Sequence, residues 1–267
     1  MSGTAAHEVA RLLAAAGLDA GPVQGVALDH GMSGDLVFRL DAPMRAFAKI
    51  AAPGRRISRV EMQREIDVLR WLDGRIGAPR LIWGGMLDED RPALLMQALD
   101  GVALHAAPAG DAEAGAIVAI RALAALHALP TADCPFDERL ARRMREVRLR
   151  VQLGEVDAAG FDPGHTGRTA AEVLEQLEAT RPESEDLVVT HGDASWPNFL
   201  IHQGRVGLID LGRAGLADRH HDLALFVRSG RRNAPDLDTP ALIREHYPLE
   251  TLDEDRLEFY RLLDELY

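Results

Sequence analysis

Thr190-His191-Gly192-Asp193-Ala194-Ser195-Trp196-Pro197-Asn198, followed by Asp210-Leu211-Gly212, is the stretch from which the rest of the chain can be read. The apolar, β-branched run Leu187–Thr190 predicts a short strand that empties into a polar loop. That loop carries a carboxylate at 193 and a carboxamide five residues later, at 198. A second strand-like run, Val206–Asp210, ends on another carboxylate. Gly-Asp and Asp-x-Gly are each common in turns, so neither is informative alone. Two carboxylates and an amide, each at the mouth of a strand, form a set of hard oxygen donors and a proton acceptor.

Working outward from this stretch, the periodicity divides the chain. Upstream, His7–Ala16 reads as a short helix stopped by Gly17, and strands are predicted at Val23–Leu28, Leu36–Leu40 and Ala46–Ile50. Met62, Ile66 and Leu69 fall at i, i+4 and i+7, which predicts a helix over Ile57–Leu72. Strands at Arg80–Trp83 and Ala93–Gln97 follow, and Asp100-Gly101 is a turn signal. Beyond it helices are expected near 111–129, 137–154, 169–180, 219–228, 240–246 and 253–266. The expected fold is α+β and two-lobed: a sheet-rich N-terminal lobe, 1–99, and a mainly helical lobe, 100–267.

Composition narrows the function classes. The 267 residues carry 30 Lys+Arg and 42 Asp+Glu, a formal net charge of −12, which argues against nucleic-acid or anionic-membrane partners. The single cysteine, Cys134, excludes an intramolecular disulfide framework and a cysteine-based zinc site. Glu8 and Arg11 interrupt the first apolar stretch, which argues against a signal peptide, and no run of about 18 uncharged apolar residues occurs. The expectation is a soluble, cytoplasmic protein.

His191-x-Asp193-x-x-x-x-Asn198 followed by Asp210-x-Gly212 has the spacing of phosphoryl-transfer sites in protein kinases. An alcohol nucleophile needs a carboxylate to orient it and accept its proton, and Mg²⁺ needs oxygen ligands such as Asn198 and Asp210. Such a site also needs a lysine on an upstream strand, which Phe47-Ala48-Lys49-Ile50 supplies. Glu61 and Glu65, one turn apart on the next helix, are both able to orient it. Gly31-Met32-Ser33-Gly34 would cover phosphates with backbone N–H groups and the Ser33 hydroxyl, and Gln97–Leu99 would meet adenine. Asp218-Arg219-His220-His221-Asp222 raises a metal-hydrolase alternative, but consecutive histidines on a helix point about 100° apart. Asp222 is expected to brace the catalytic loop, and the two histidines to face solvent.

Val188–Ala194, Gly207–Arg213, Gly215–Arg219, Asp222–Leu225, Asp133-Cys134-Pro135-Phe136-Asp137, Arg181–Leu187 and the ending Phe259–Tyr267 together resemble the aminoglycoside 3'-phosphotransferases. The resemblance runs from about residue 25 to the C-terminus. It implies a protein-kinase-like fold that transfers the γ-phosphate of ATP or GTP, with Mg²⁺, to a hydroxyl of a cationic aminoglycoside. It implies Asp193 as catalytic base and Asn198 and Asp210 as metal ligands. Ser33, Phe47, Lys49, Glu65 (in preference to Glu61), Gln97 and Leu99 would bind nucleotide, Phe47 by stacking on adenine. Asp157, Asp162, Arg213, Arg228, Asp264, Glu265 and Tyr267 would line the drug pocket.

The chain departs from the family pattern at Ala158-Ala159-Gly160, where relatives carry adjacent acids, and at Ser229-Gly230-Arg231-Arg232, where an acid commonly follows the arginine. A pocket faced by these positions has lost negative charge and gained positive charge. The competing readings are a kinase for another small hydroxylated metabolite and a nucleotide-binding scaffold without catalysis.

Overall fold

A computed structural model describes residues 3–19, 24–28 and 34–267 of the chain. The chain folds as two compact units, the first comprising Met1–Gly101 with Gly207–Arg213, the second Val102–Val206 with Ala214–Tyr267.

In the first unit, helix α1 (Gly3–Ala15) precedes strands β1 (Gln24–Leu28), β2 (Leu36–Ala42) and β3 (Ala46–Ile50). Helix α2 (Arg56–Leu72) then leads into β4 (Leu81–Met86) and β5 (Pro92–Gln97), and the five strands form an antiparallel sheet in the order β1-β2-β3-β5-β4. Alternation decides which face is buried: Ala46, Ala48 and Ile50 of β3 point inward, while Phe47 and Lys49 point to the opposite face. Val9, Leu12 and Leu13 of α1 pack with Phe38, Leu40 and the inward residues of β3 and β5. Met62, Ile66 and Leu69 of α2 are all buried, as their spacing demands.

The second unit begins with β6 (Val102–Ala103) and contains α3 (Ala112–His127), α4 (Leu140–Leu153) and α5 (Ala170–Ala179). Strand β7 (Leu187–Thr190) pairs with β10 (Gly215–Asp218), and β8 (Phe199–His202) and β9 (Arg205–Leu208) form a sheet in the order β6-β8-β9. Helices α6 (Arg219–Asn233), α7 (Thr239–His246) and α8 (Glu254–Asp264) follow. Among the described residues, no helix is long and apolar enough to cross a membrane.

Several expectations are corrected. The strand expected at Val206–Asp210 stops at Leu208, because Asp210 adopts φ 61°, which ends extended structure. Strands β6, β8 and β10 were not anticipated: each has two to four residues, and no turn residues separate Asn198 from Phe199. Helix α4 starts at Leu140 rather than 137, since Asp137 instead bridges Leu216 and the Glu138 N–H donates to Leu216 O at 2.9 Å. Helix α6 runs five residues past Arg228, through Gly230, because a glycine is what its packing requires there: an added Cβ would lie 2.3 Å from Thr239 Oγ1. His220 and His221 do not face solvent; they are 4 % and 1 % exposed. Their burial follows from polar partners. Asp218 Oδ1 meets His220 Nδ1 at 2.9 Å, and Arg143 Nη1 lies 3.1 Å from His221 Nε2.

Candidate active site

The loop after β7 is organised by bonds that the chain makes to itself. Gly192 takes φ 83°, the left-handed region that a side chain would resist, and turns the backbone toward Asp193. Asn198 Nδ2 donates to the Asp193 carbonyl at 2.9 Å, to Asp193 Oδ2 at 3.0 Å and to Ser195 Oγ at 3.2 Å. The carboxamide therefore fixes both the main chain and the carboxylate of Asp193. The Asp193 N–H donates to His191 Nδ1 at 3.3 Å, and the His191 ring stacks on Phe199. His191 is wholly buried, as a loop-holding residue would be.

Beneath this loop lies Asp222, at the first turn of α6 and 0 % exposed. Its Oδ2 accepts from the His191 N–H at 2.6 Å, and its Oδ1 from the Gly192 N–H at 2.9 Å. His127 Nε2, from the end of α3, lies 2.9 Å from Asp222 Oδ2, and His127 Nδ1 lies 2.6 Å from the Tyr247 hydroxyl. Burial opposes ionisation of Asp222, but the His127 hydrogen bond and the nearby His221 ring outweigh it and hold the carboxyl far below the usual carboxylate range. The expected brace is thus an ionised carboxylate with its oxygens committed to the peptides that precede Asp193. Two α6 turns further on, Ser229 Oγ accepts from the Trp196 N–H at 2.9 Å. Ser229 therefore holds the loop rather than facing a pocket.

In the first unit, Lys49 Nζ donates to Glu65 Oε1 at 2.7 Å and Oε2 at 2.9 Å, and to Asp210 Oδ1 at 3.0 Å. Burial favours the neutral amine of Lys49, but the Glu65 and Asp210 carboxylates overcome it and hold the ammonium protonated. Glu61, the other acid one turn earlier, instead lies 3.5 Å from Arg213. The segment carrying Asp210 is seated by the Leu208 N–H, which donates to Gly77 O at 2.8 Å, and by Gly207 against Leu99. An Asp at positive φ is disfavoured by about 1 kcal/mol or more and recurs where geometry at a site demands it. Phe47 shares the Lys49 face of β3. The Gln97 and Ala98 N–H groups are spent on Arg80 O and Arg45 O, at 2.9 and 3.1 Å. Leu99 is half-buried. Ser33 lies outside the described residues.

The residues assigned to a drug pocket separate into groups. Asp162, Arg228, Asp264 and Glu265 come together: Arg228 Nε donates to Asp162 Oδ2 at 2.7 Å, and its Nη1 pairs with Asp264. The Asp162 N–H reaches both Glu265 oxygens at 3.1 Å. Arg232 also pairs with Asp162, and Arg261 Nη1 donates to Asp162 Oδ2 at 3.2 Å. Burial works against the Asp162 carboxylate, but Arg228 and Arg232 prevail and lower its pKa to about 2. Burial pushes Glu265 the other way, above its ordinary value. Asp157 is exposed and accepts from the Ala159 N–H of its own loop at 3.0 Å. The Tyr267 ring lies against the Arg143 and Arg150 guanidiniums, 5.6 and 5.9 Å from its centroid. Arg213 sits with Glu61 in the first unit.

Sequence reasoning missed His127, Tyr247, Ser229 and Arg261. His127 alone left a signal, a histidine on the apolar stripe of α3, where an imidazole needs a buried polar partner.

The family model described as "Phosphotransferase enzyme family" matches residues 24–260. An aminoglycoside 3'-phosphotransferase of Streptomyces fradiae is 36% identical over 253 residues, covering 90% of this chain and 94% of that protein. A namesake from Niallia circulans is 34% identical over 245 residues, 89% and 90% of the two chains. The crystal structure of an aminoglycoside-3'-phosphotransferase of type VIII superposes with a TM-score of 0.85 at 34% identity, covering 98% of this chain and 99% of that one. Aminoglycoside phosphotransferase APH(3'')-Id from Streptomyces rimosus, solved with ADP and streptomycin, gives 0.80 at 27% identity, with 97% and 96% coverage. The kinase-like α+β fold expected from the sequence is therefore the one observed, and the chain belongs to the aminoglycoside 3'-phosphotransferase family of phosphotransferase enzymes.

Proposed function

We propose that the chain transfers the γ-phosphate of ATP, or of GTP, to the 3'-hydroxyl of an aminoglycoside antibiotic and so confers resistance. The observation that carries this reading is the Asp193 carboxylate, fixed through Oδ2 by Asn198 and preceded by two peptides held on the Asp222 brace, in a chain 36% identical to an enzyme of that name. With Oδ2 held, Oδ1 is the oxygen that orients the substrate hydroxyl and accepts its proton. Lys49, kept charged by Glu65, holds nucleotide phosphates. Phe47 stacks on adenine, while the Gln97 carbonyl and Leu99 N–H read its edge. Ser33 completes the phosphate contacts.

Each of the two proposed Mg²⁺ ligands offers an oxygen that suits the ion. Asn198 spends its amide nitrogen on Asp193 and Ser195, which leaves the carbonyl Oδ1 to a hard cation, and Asp210 keeps a half-exposed carboxylate. Bound there, the ion would neutralise phosphate charge. Asp157, Asp162, Arg213, Arg228, Asp264, Glu265 and Tyr267 are the proposed substrate contacts, with carboxylates attracting the drug's ammonium groups. A cytoplasmic setting follows from the need for ATP.

One observation favours a second reading, a kinase for another small hydroxylated metabolite: Asp162 already carries three arginine partners. An ATP-consumption screen over 2-deoxystreptamine aminoglycosides, including kanamycin and neomycin, beside amino sugars and sugar alcohols separates the two. The phosphorylated carbon is then located by NMR. The expected result is turnover of drugs at the 3'-hydroxyl, reduced at least a hundredfold in kcat by Asp193→Asn with nucleotide affinity retained. Turnover of sugars alone would favour the second reading, and full activity of the variant would overturn the role of Asp193.

A further inference from the structure

We infer that Arg232 is a tethered cation seated where a substrate ammonium would sit, and that it sets how strongly the site takes polycations. The inference rests on the aminoglycoside reading above.

The three acids of this part of the second unit already have arginine partners. Asp162, Asp264 and Glu265 supply three carboxylates, and Arg228, Arg232 and Arg261 approach them with three guanidiniums. An incoming ammonium therefore meets carboxylates that already have partners, and gains only by displacing one. The three arginines differ in how firmly they are held. Arg228 is 15 % exposed and touches Asp162, Asp264 and Glu265. Arg261 is 17 % exposed, lies near Asp162 and Glu265, and is also held by Glu258. Arg232 is 55 % exposed, sits in the last turn of α6 and meets the group through Asp162 alone among its ion pairs. A half-exposed arginine with one carboxylate partner is the cheapest of the three to displace. Asp162 itself is 9 % exposed, and Arg232 is the most exposed of its three arginine partners.

A tethered cation competes at a high effective concentration that does not dilute, which lowers apparent affinity for free cations without touching the reacting groups. The expected effect of its removal is roughly a two- to tenfold fall in KM for a polycationic acceptor, the range an exposed ion pair supports.

The test compares Arg232→Gln and Arg232→Lys with the parent chain, using kanamycin as acceptor. Arg232→Gln is expected to lower KM for kanamycin two- to tenfold, leaving kcat and KM for ATP within twofold. Its KM should rise more steeply with added salt than the parent's, because a free carboxylate then attracts the drug. Arg232→Lys restores the parent's KM. A KM for kanamycin that is unchanged or higher in Arg232→Gln overturns the inference and leaves Arg232 as a brace for the Asp162 loop. If neither protein phosphorylates any aminoglycoside, the functional reading fails by itself. Calorimetric titration of kanamycin into both proteins then decides the inference: tighter binding to Arg232→Gln supports it, and equal or absent binding overturns it.

Discussion

Replacing Asp222 by Asn keeps the shape of the side chain and changes only its charge and its hydrogen-bonding sense. Three donors converge on that carboxylate, the His191 and Gly192 N–H groups at 2.6 and 2.9 Å and His127 Nε2 at 2.9 Å. An amide offers one acceptor oxygen and turns an NH₂ toward at least one of those donors. The site is fully buried, so the donor left facing it has no water to turn to. That orphaned group costs about 1–3 kcal/mol, and the surviving bonds fall from charge-assisted to neutral strength, about 1 kcal/mol each. The loss is about 3–5 kcal/mol, a large share of the roughly 5–15 kcal/mol that holds a typical fold. Thermal unfolding followed by circular dichroism should shift down by about 6–20 °C, at about 2–4 °C per kcal/mol. Because the two peptides preceding Asp193 are released as well, kcat should fall at least a hundredfold while KM for ATP moves little. A variant melting within 2 °C of the parent with kcat within threefold would refute the assignment of Asp222 as the brace.

Two further expectations concern the same unit. Gly230→Ala would put a Cβ 2.3 Å from Thr239 Oγ1 and 3.1 Å from Trp196 Cζ2, so overpacking should outweigh the better helix propensity of alanine, with a net loss of about 1–2 kcal/mol in urea unfolding. A neutral or stabilising result would mean that α6 has room to move. Asp162 is held at about 2, against 3.8 for an ordinary aspartate, so its stabilisation is complete above about pH 4 and is lost as the pH falls toward 2. Asp162→Asn should therefore be less stable than the parent by about 2 kcal/mol at pH 7, with the gap closing in acid. Parallel melting curves from pH 7 to pH 2.5 check this, and a gap independent of pH would count against the carboxylate.

Local pattern made most of the fold legible. Alternation in Ala46–Ile50 and the i, i+4, i+7 spacing in α2 are short-range signals, and the elements stand where those signals put them. The reacting loop was legible because its residue types are chemically scarce at that spacing. Most of the losses involve partners distant in sequence. The helix expected over 219–228 runs on through Gly230, whose packing partners Thr239 and Trp196 lie elsewhere in the chain. His221 looked solvated because Arg143, 78 residues away, is its partner, whereas the Asp218 partner of His220 was local and was read as part of a charged cluster. Glu61 and Glu65 were equivalent by spacing; the family resemblance pointed to Glu65, and the fold gives Lys49 to Glu65 and Arg213 to Glu61.

Helix α6 carries two kinds of residue on different sides. Asp222 and Ser229, seven positions apart and so nearly aligned, hold the reacting loop, while Arg228 and Arg232, four apart, reach the carboxylates of Asp162 and Asp264. The two pairs sit roughly a quarter of a turn apart around one rod. On the proposed function, one face would govern what is done to a molecule, and the other which molecule is admitted. Point changes on the second face can redirect this scaffold toward new acceptors while leaving the chemistry of the first intact, so drift in antibiotic spectrum should collect at 228 and 232 and spare 222 and 229.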